Sequence, residues 1–515
     1  MERKNIRIYQ DFLISLANNG PYYRLGKTFA TEENFYYYDV GTGKILECEY
    51  NVFLILKHLE TANSVANLGD LQLSEDELLS ALEELRTAVQ KENIMQAPPL
   101  DKFVGPHVEG LEYLVKNQLQ QLTLEVTQKC NLRCDYCVYH SDNTKFRDFE
   151  QSTPNMDFET AKKALDYALV HSHKADDFSL TFYGGEPLLQ YDLIKQCVEY
   201  FEAHKTDIPI LYSMTTNLTL MTEEKASFFA SIPNFAIVCS IDGDKETHDE
   251  HRKTIDGKGS FDKAMQGLEI LVNAYGPKNR GNILINMVVS EPYTNDKFDR
   301  IQNFLEMCPY IYDDTVVMYS YVDHGVPDYE NVPDASIKDN EDMSKWIPIQ
   351  TWAEERSHQN PRSSLFTKYN SNRDLARVHK RRLSKKPIGN YFFNGCCVPG
   401  ARRIYVTTEG KFKICEQIGE SPYIGHVDTG IDLEAIQQKY IQEYAKKSKL
   451  NCSQCWAVHL CGICYARCYG KDGINPRAKE IKCGNQLKLA EHDLIEYHRT
   501  IERNPLELEI LNSIV

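Results

Sequence analysis

The sequence predicts an α/β protein built on six strand–helix repeats, with a small α+β unit before them and a cysteine-dense segment after them. Three observations carry this. From Leu122 to about Val322, short apolar runs alternate with amphipathic helical patterns. Before residue 110 a hairpin pattern precedes two helical ones. Nine cysteines fall between Cys396 and Cys483. The expected division is 1–110, 111–322, 323–395 and 396–515.

In the first unit, Phe35–Val40 and Lys44–Glu49 flank the turn Gly41-Thr42-Gly43 and read as a hairpin. Asn51–Leu59 places Val52, Leu54, Ile55 and Leu59 on one helical side. Ser74–Val89 opens with a capping box, Ser74 to Glu77, ahead of Leu78, Leu79, Leu82 and Leu85. A short sheet with two or three helices has the shape of a winged-helix module. Its helices carry more Asp and Glu than Lys and Arg, which disfavours DNA as the ligand.

In the central unit the expected strands are Leu122–Thr127, Ser179–Tyr183, Ile210–Thr215, Ala236–Ile241, Ile283–Val289 and Val316–Tyr321. The helices among them are Phe158–Val170, Leu193–His204, Glu223–Phe229, Phe261–Ala274 and Asp296–Met307. Such repeats make a parallel sheet or a partial (β/α)6 barrel, with functional loops at the C-terminal strand ends. Residues 323–395 are polar and proline-bearing, without a clear strand, and are expected to form a lid or bridge. Within them Lys380–Lys386 reads as a solvated basic face. A helical tail is expected from near Gln486.

At 515 residues the chain has material for two to four domains. No apolar run approaches the roughly 18 residues that suggest a membrane span. Met1–Ile14 lacks the continuous apolar core of a secretory signal, so a cytoplasmic protein with no membrane partner is expected. The net charge of −16 argues against a nucleic-acid partner, which calls for an excess of lysine and arginine. Clustered cysteines in a reducing compartment point to metal or catalysis rather than disulfides. Cys48, Cys197, Cys239 and Cys308 stand apart from the clusters and read as small buried hydrophobes.

Cys130, Cys134 and Cys137 follow the first expected strand at spacings of four and three. Three thiolates hold three irons of a [4Fe-4S] cubane and leave the fourth open to a small chelating molecule. A structural zinc site wants a fourth ligand and paired C-x-x-C ends, and nearby His140 reads as a loop histidine. The run C-x-x-x-C-x-Y-C, with Tyr136 inside it, resembles the radical S-adenosylmethionine (SAM) superfamily. The likeness continues in Gly184-Gly185-Glu186-Pro187, in Asn217 ending the third strand, and in Ser240-Ile-Asp-Gly243 with His248 and Arg252. The resemblance implies S-adenosylmethionine as cofactor, with Tyr136, Asn217 and Ser240 among its contacts. It implies that Gly184 and Gly185 let backbone approach the ligand, that Glu186 offsets its ammonium, and that Arg252 pairs with its carboxylate. It also implies cleavage to a 5'-deoxyadenosyl radical that takes hydrogen from an unactivated C–H bond.

The later cysteines are Cys396, Cys397, Cys415, Cys452, Cys455, Cys461, Cys464, Cys468 and Cys483. Nine exceed the need of one cubane and suit two. They resemble the SPASM domain of peptide-modifying members, which implies three [4Fe-4S] clusters in all. By that pattern Cys397 or Cys396, Cys415, and Cys464 or Cys468 serve one auxiliary cluster. Cys452, Cys455, Cys461 and Cys483 serve the other. Cys461 to Cys464 leaves two residues where the pattern has three, so the first set stays open between four thiolates and three with a free iron. Glu416 stands where sulfatase-maturing relatives carry an acidic base.

The whole chain resembles maturases that join a cysteine sulfur to a carbon of a ribosomally made precursor peptide. The first unit would bind the leader along a sheet edge, and a flavodoxin- or ferredoxin-type reductant would supply electrons. Carbon–carbon cross-linking, formylglycine formation on a sulfatase, and plain iron–sulfur electron transfer are the alternatives.

Overall fold

The computed structural model describes residues 2–137, 139, 155–205, 207–322, 343–356, 364–417, 419, 421–470 and 473–514. His140 and two parts of the expected bridge, 323–342 and 357–363, lie outside them. The first unit contains strands β1 (Gly26–Ala30), β2 (Phe35–Asp39), β3 (Ile45–Cys48) and β4 (Lys102–Phe103). The hairpin is present as β2 and β3, and the two helices as Tyr50–Ala62 and Glu75–Glu92. The capping box is closed: Ser74 Oγ accepts from the Glu77 amide, and the Glu77 carboxylate accepts from the Ser74 amide. Sequence patterning misses helix Glu2–Leu16 and β1, which gives the sheet the order β1-β2-β3. At the β1 edge the Thr28 amide is spent on Glu60 Oε2 (2.9 Å).

Six parallel strands follow in sequence order: β5 (Gln121–Thr127), β6 (Phe178–Gly184), β7 (Ile210–Thr216), β8 (Phe235–Ser240), β9 (Ile283–Val289) and β10 (Val317–Tyr321). Each coincides with an expected strand to within a residue at either end. The five expected helices are also present, as Phe158–His171, Tyr191–His204, Glu223–Ser231, Phe261–Asn279 and Asn295–Met307. Alternation explains the agreement. On β6, Phe178, Leu180 and Phe182 are fully buried, with Phe178 stacked on Phe201 of the adjacent helix. On the opposite face Thr181 bonds Ser213 Oγ (2.8 Å) and Gln121 Nε2 (3.1 Å).

The cysteine-rich segment does not stand apart. After β11 (Asn390–Tyr391), which pairs with β4, β12 (Ile404–Val406) pairs in parallel with β5. The antiparallel strands β13 (Lys411–Lys413), β14 (Gly425–His426) and β15 (Gly430–Ile431) continue outward. One ten-stranded sheet therefore runs from β10 to β15. The last long helix begins at Pro476, ten residues before the expected start, capped by Asn475 with proline in its first turn. It carries Cys483, and its Ala490 and Leu494 join the core of the first unit.

The run Lys380–Lys386 is not simply a solvated face. Arg381 Nε donates to Gly43 O (2.8 Å) and the Ser384 amide to Thr42 O (2.8 Å). Gly43 has a φ of 71°, and a Cβ there would lie 2.0 Å from the Arg382 carbonyl oxygen, so the hairpin turn meets this run through glycine. Helices Met343–Arg356 and Leu365–His379 occupy the described part of the bridge. Cys197, Cys239 and Cys308 are buried as expected, and Cys48 is half-buried. Among the described residues no helix is long and apolar enough to cross a membrane.

Glu502 Oε1 on the last helix accepts from Thr31 Oγ1 (2.7 Å), Asn34 Nδ2 (3.0 Å) and the Tyr36 hydroxyl (2.8 Å), locking the turn between β1 and β2 and the start of β2 in place. Glu502→Ala is expected to speed amide exchange in β1 and β2 about tenfold, as for a lost charge-assisted bond worth roughly 1.5 kcal/mol. Unchanged exchange there would refute the locking role.

Candidate functional site

Parallel strands bring their C-terminal ends to one edge of the sheet, where the loops after β5, β6, β7 and β8 line a cavity of about 520 Å³. Cys130, Cys134, Cys137, Tyr136, Gly184, Gly185, Glu186, Asn217, Ser240 and Arg252 all line it. The cysteine loop is pinned from two sides. The Gly185 and Glu186 amides donate to Thr127 O and Lys129 O (2.9 Å each), and the Arg133 amide donates to Lys253 O (2.6 Å). A Cβ at Gly184, whose φ is 143°, would lie 2.1 Å from Thr127 O; one at Gly185 would lie 2.3 Å from Lys129 O. The glycines are thus required by the seam between two loops, a different reason from the ligand approach expected of them.

Glu186 also serves the frame. It is 1% exposed; Oε1 accepts from the Leu188 amide (3.0 Å) and Thr216 Oγ1 (2.7 Å), and Oε2 from the Asn217 amide (2.8 Å). Burial pushes its carboxyl up, partly offset by those amides. Cys130 Sγ accepts from the Leu132 amide (3.3 Å) and from Asn217 Nδ2 (3.8 Å), while Cys137 Sγ accepts from the Tyr139 amide (3.4 Å). Asn217 therefore touches Cys130 as well as the cavity.

Arg252 meets a carboxylate, but an internal one. Its Nε and Nη2 pair bidentately with Asp242 (2.7 and 3.1 Å), which also accepts from the Tyr136 hydroxyl and the Val288 amide. The guanidinium lies 5.6 Å from the Tyr136 ring centre. Burial would raise the Asp242 carboxyl, but Arg252 outweighs it and holds the group below the usual range. His248 Nδ1 accepts from the Asp242 amide (3.3 Å), so its proton sits on Nε2 and is donated to Ser260 Oγ (3.0 Å). Burial pushes His248 down to about 4. Asp242 and His248 lie inside the quoted motif, yet their roles as internal partners are invisible in it.

The later cysteines sort into two sets. Cys452, Cys455, Cys461 and Cys483 line a second cavity of about 550 Å³. Cys397 and Cys415 are each electrostatic neighbours of Cys464. Cys396 neighbours Cys464, Cys468 and Cys461, so Cys396 and Cys468 stand between the sets. Burial pushes the thiols of Cys130 up to about 11 and of Cys134 and Cys415 up to about 12, so thiolates here call for a bound cation. Among the described residues, only Glu354, His492 and Glu496 bring three ligand atoms within 4.8 Å of one another. The cysteine sets are spaced more widely than ligands of one tetrahedral zinc, whose sulfurs lie roughly 3.8 Å apart. Separate irons of a cubane suit these donors.

Glu416 lines the first cavity together with Arg467, and Arg403 Nη1 donates to both its oxygens (2.6 and 2.7 Å). The expected base is held in an ion pair. No spacing signals Arg403.

Residues 124–305 match the family profile described as the radical SAM superfamily. That stretch belongs to the superfamily. The chain is similar to the cysteine-type anaerobic sulfatase-maturating enzyme of Clostridium novyi, 33% identical over 192 residues, which are 36% of this chain and 48% of that protein. It thus spans about half of that relative's length. It is also similar to the radical SAM cyclopropyl synthase TigE of Paramaledivibacter caminithermalis, 26% identical over 420 residues, 76% of this chain and 77% of that protein. The solved structure of native anSMEcpe with bound AdoMet shares the fold, with a TM-score of 0.53 at 18% identity over 77% of this chain and 100% of that one.

Two outcomes follow for the radical SAM stretch. Gly185→Ala is expected to displace Lys129 and Cys130 and to lower the iron content of the reconstituted protein; wild-type iron content with an unchanged EPR signal would contradict the seam. His248 titrates near 6.5 when unfolded and near 4 when folded. Its contribution to stability is complete above 6.5 and is lost as pH falls toward 4, by about 3 kcal/mol at roughly 1.4 kcal/mol per unit. Denaturant midpoints across that window should fall less steeply in His248→Asn.

Proposed function

We propose that the chain is a radical SAM peptide maturase that joins a cysteine sulfur to a carbon within a ribosomally made precursor peptide. One observation carries the reading: Glu416 and Arg467 of the cysteine-rich segment line the same cavity as Cys130, Cys134, Cys137 and the β8 loop. A radical-generating site that shares its chamber with Glu416 and Arg467, the chain neighbours of Cys415 and Cys468, suits a reaction that removes hydrogen from one residue beside a waiting sulfur.

Bound there, a [4Fe-4S] cluster and S-adenosylmethionine would supply a carbon-centred radical able to take hydrogen from an unactivated C–H bond. The chain's own residues do the positioning. Cys130, Cys134 and Cys137 hold the first cluster, and the Asp242–Arg252–Tyr136 group makes a rigid, charge-balanced wall beside it. Tyr183, Tyr319 and Tyr321 line the same cavity and give a substrate side chain an aromatic wall. Arg403 orients the Glu416 carboxyl group in the cavity wall, where Oε1 or Oε2 can take a proton from a peptide group.

Residues 396–515 act as a SPASM domain, with Cys452, Cys455, Cys461 and Cys483 on one auxiliary cluster and Cys397, Cys415 and Cys464 on the other. Residues 1–110 act as the leader reader. With the β1 amide of Thr28 committed to Glu60, β3 is the edge for an added peptide strand. A flavodoxin- or ferredoxin-class protein supplies the electrons, in the cytoplasm.

The breadth of the match to TigE, 77% of that protein, favours carbon–carbon bond formation as the second reading. Anaerobic turnover of reconstituted enzyme with S-adenosylmethionine, reductant and a peptide encoded beside the gene separates them. A loss of two hydrogen masses per cross-link with one free thiol consumed is the expected result. The same loss with every thiol still alkylatable would sink the thioether and leave the carbon–carbon reading.

A further inference from the structure

A buried lysine sits among the cysteines of the second cavity. Lys479 is 3% exposed on the helix Pro476–Arg503, one turn before Cys483. Its Nζ donates to Cys452 Sγ (3.8 Å) and Cys483 Sγ (4.0 Å) and lies 5.2 Å from the Tyr444 ring centre. Among the described residues no carboxylate pairs with it. A buried ammonium without a counter-charge is costly, so its partner must be an anion at the sulfurs themselves.

A cubane held by four thiolates is such an anion, and its negative charge grows by one unit when it takes up an electron. An adjacent ammonium and two N–H···S bonds stabilise the reduced state more than the oxidised one. Net charge and hydrogen bonds to the sulfurs are the levers that set the potential of such clusters.

We propose that Lys479 is the counter-charge and potential-setting residue of the auxiliary cluster at Cys452, Cys455, Cys461 and Cys483, raising its reduction potential above that of an otherwise equal site. A potential raised in this way would suit this cluster to receive the surplus electron left when a substrate radical closes its new bond. With the cluster bound, the electron would pass from the substrate radical to its oxidised form, and the proton of the reacting thiol would leave to a base. Lys479 does not touch the substrate; it acts through the cluster as a positioning residue.

The inference rests on the proposed cluster at these four cysteines, and iron content tests that basis separately: wild-type protein short of three cubanes, with Cys452→Ala losing no iron, removes the basis without bearing on the lysine. With the basis met, EPR-monitored potentiometry of wild type, Lys479→Gln, Lys479→Met and Lys479→Arg tests the role. The expected result is one midpoint moved negative in both neutral variants by a tenfold or greater change in the one-electron equilibrium, about 59 mV per tenfold. Lys479→Arg stays near wild type, and the other midpoints do not move. Loss of this cluster's iron in both neutral variants but not in Lys479→Arg equally supports a counter-charge. An unmoved midpoint in the neutral variants, or the same shift or iron loss in Lys479→Arg, overturns the proposal.

Discussion

The amides of Gly185 and Glu186 donate to the carbonyls of Thr127 and Lys129, and the rest of the site is built out from that seam. Those bonds lay the end of β6 directly against the chain entering Cys130. No side chain fits between the two backbones at Gly184 or Gly185, which is why both positions are glycine. Glu186 then anchors the seam to β7 through the Asn217 amide, and Asn217 returns to Cys130. The cysteine loop owes its shape to the sheet beneath it and not to its own short sequence.

The same sheet joins the two cysteine-bearing regions. Because β12 adds to β5 in parallel, the chain leaving it turns at the C-terminal strand ends, and antiparallel β13 then carries it back to Cys415 and Glu416. The Thr408 amide just beyond β12 donates to Glu125, which is buried on β5 and also accepts from Tyr139 beside Cys137. A segment remote in sequence is thereby held against the Cys130–Cys137 loop, and the two regions share one cavity wall.

The charges buried around these loops are matched at close range. Asp242 is matched by Arg252 and Glu186 by backbone amides, each within hydrogen-bond distance. Glu416 is matched by Arg403. Lys479 has sulfurs where the others have carboxylates or amides. Unmatched charges of this depth would each cost several kcal/mol, so the pairings define a rigid site in which the reactive groups keep one geometry.

Local pattern determined much of this protein. Alternating and helical periodicity placed all six parallel strands and the helices among them, because burial of one face repeats every two or 3.6 residues whatever covers it. Ser74 and Glu77 spelled out a cap whose partners are three residues apart, and the cysteine spacings marked out the residues that share each cavity. Tertiary structure decided the partners. That Arg252 faces Asp242, that Glu186 caps a turn, that Arg403 reaches Glu416 and that Lys479 reaches Cys452 follow from separate chain segments brought together by folding. Periodicity tells a side chain which way to face, and only packing tells it what it will meet.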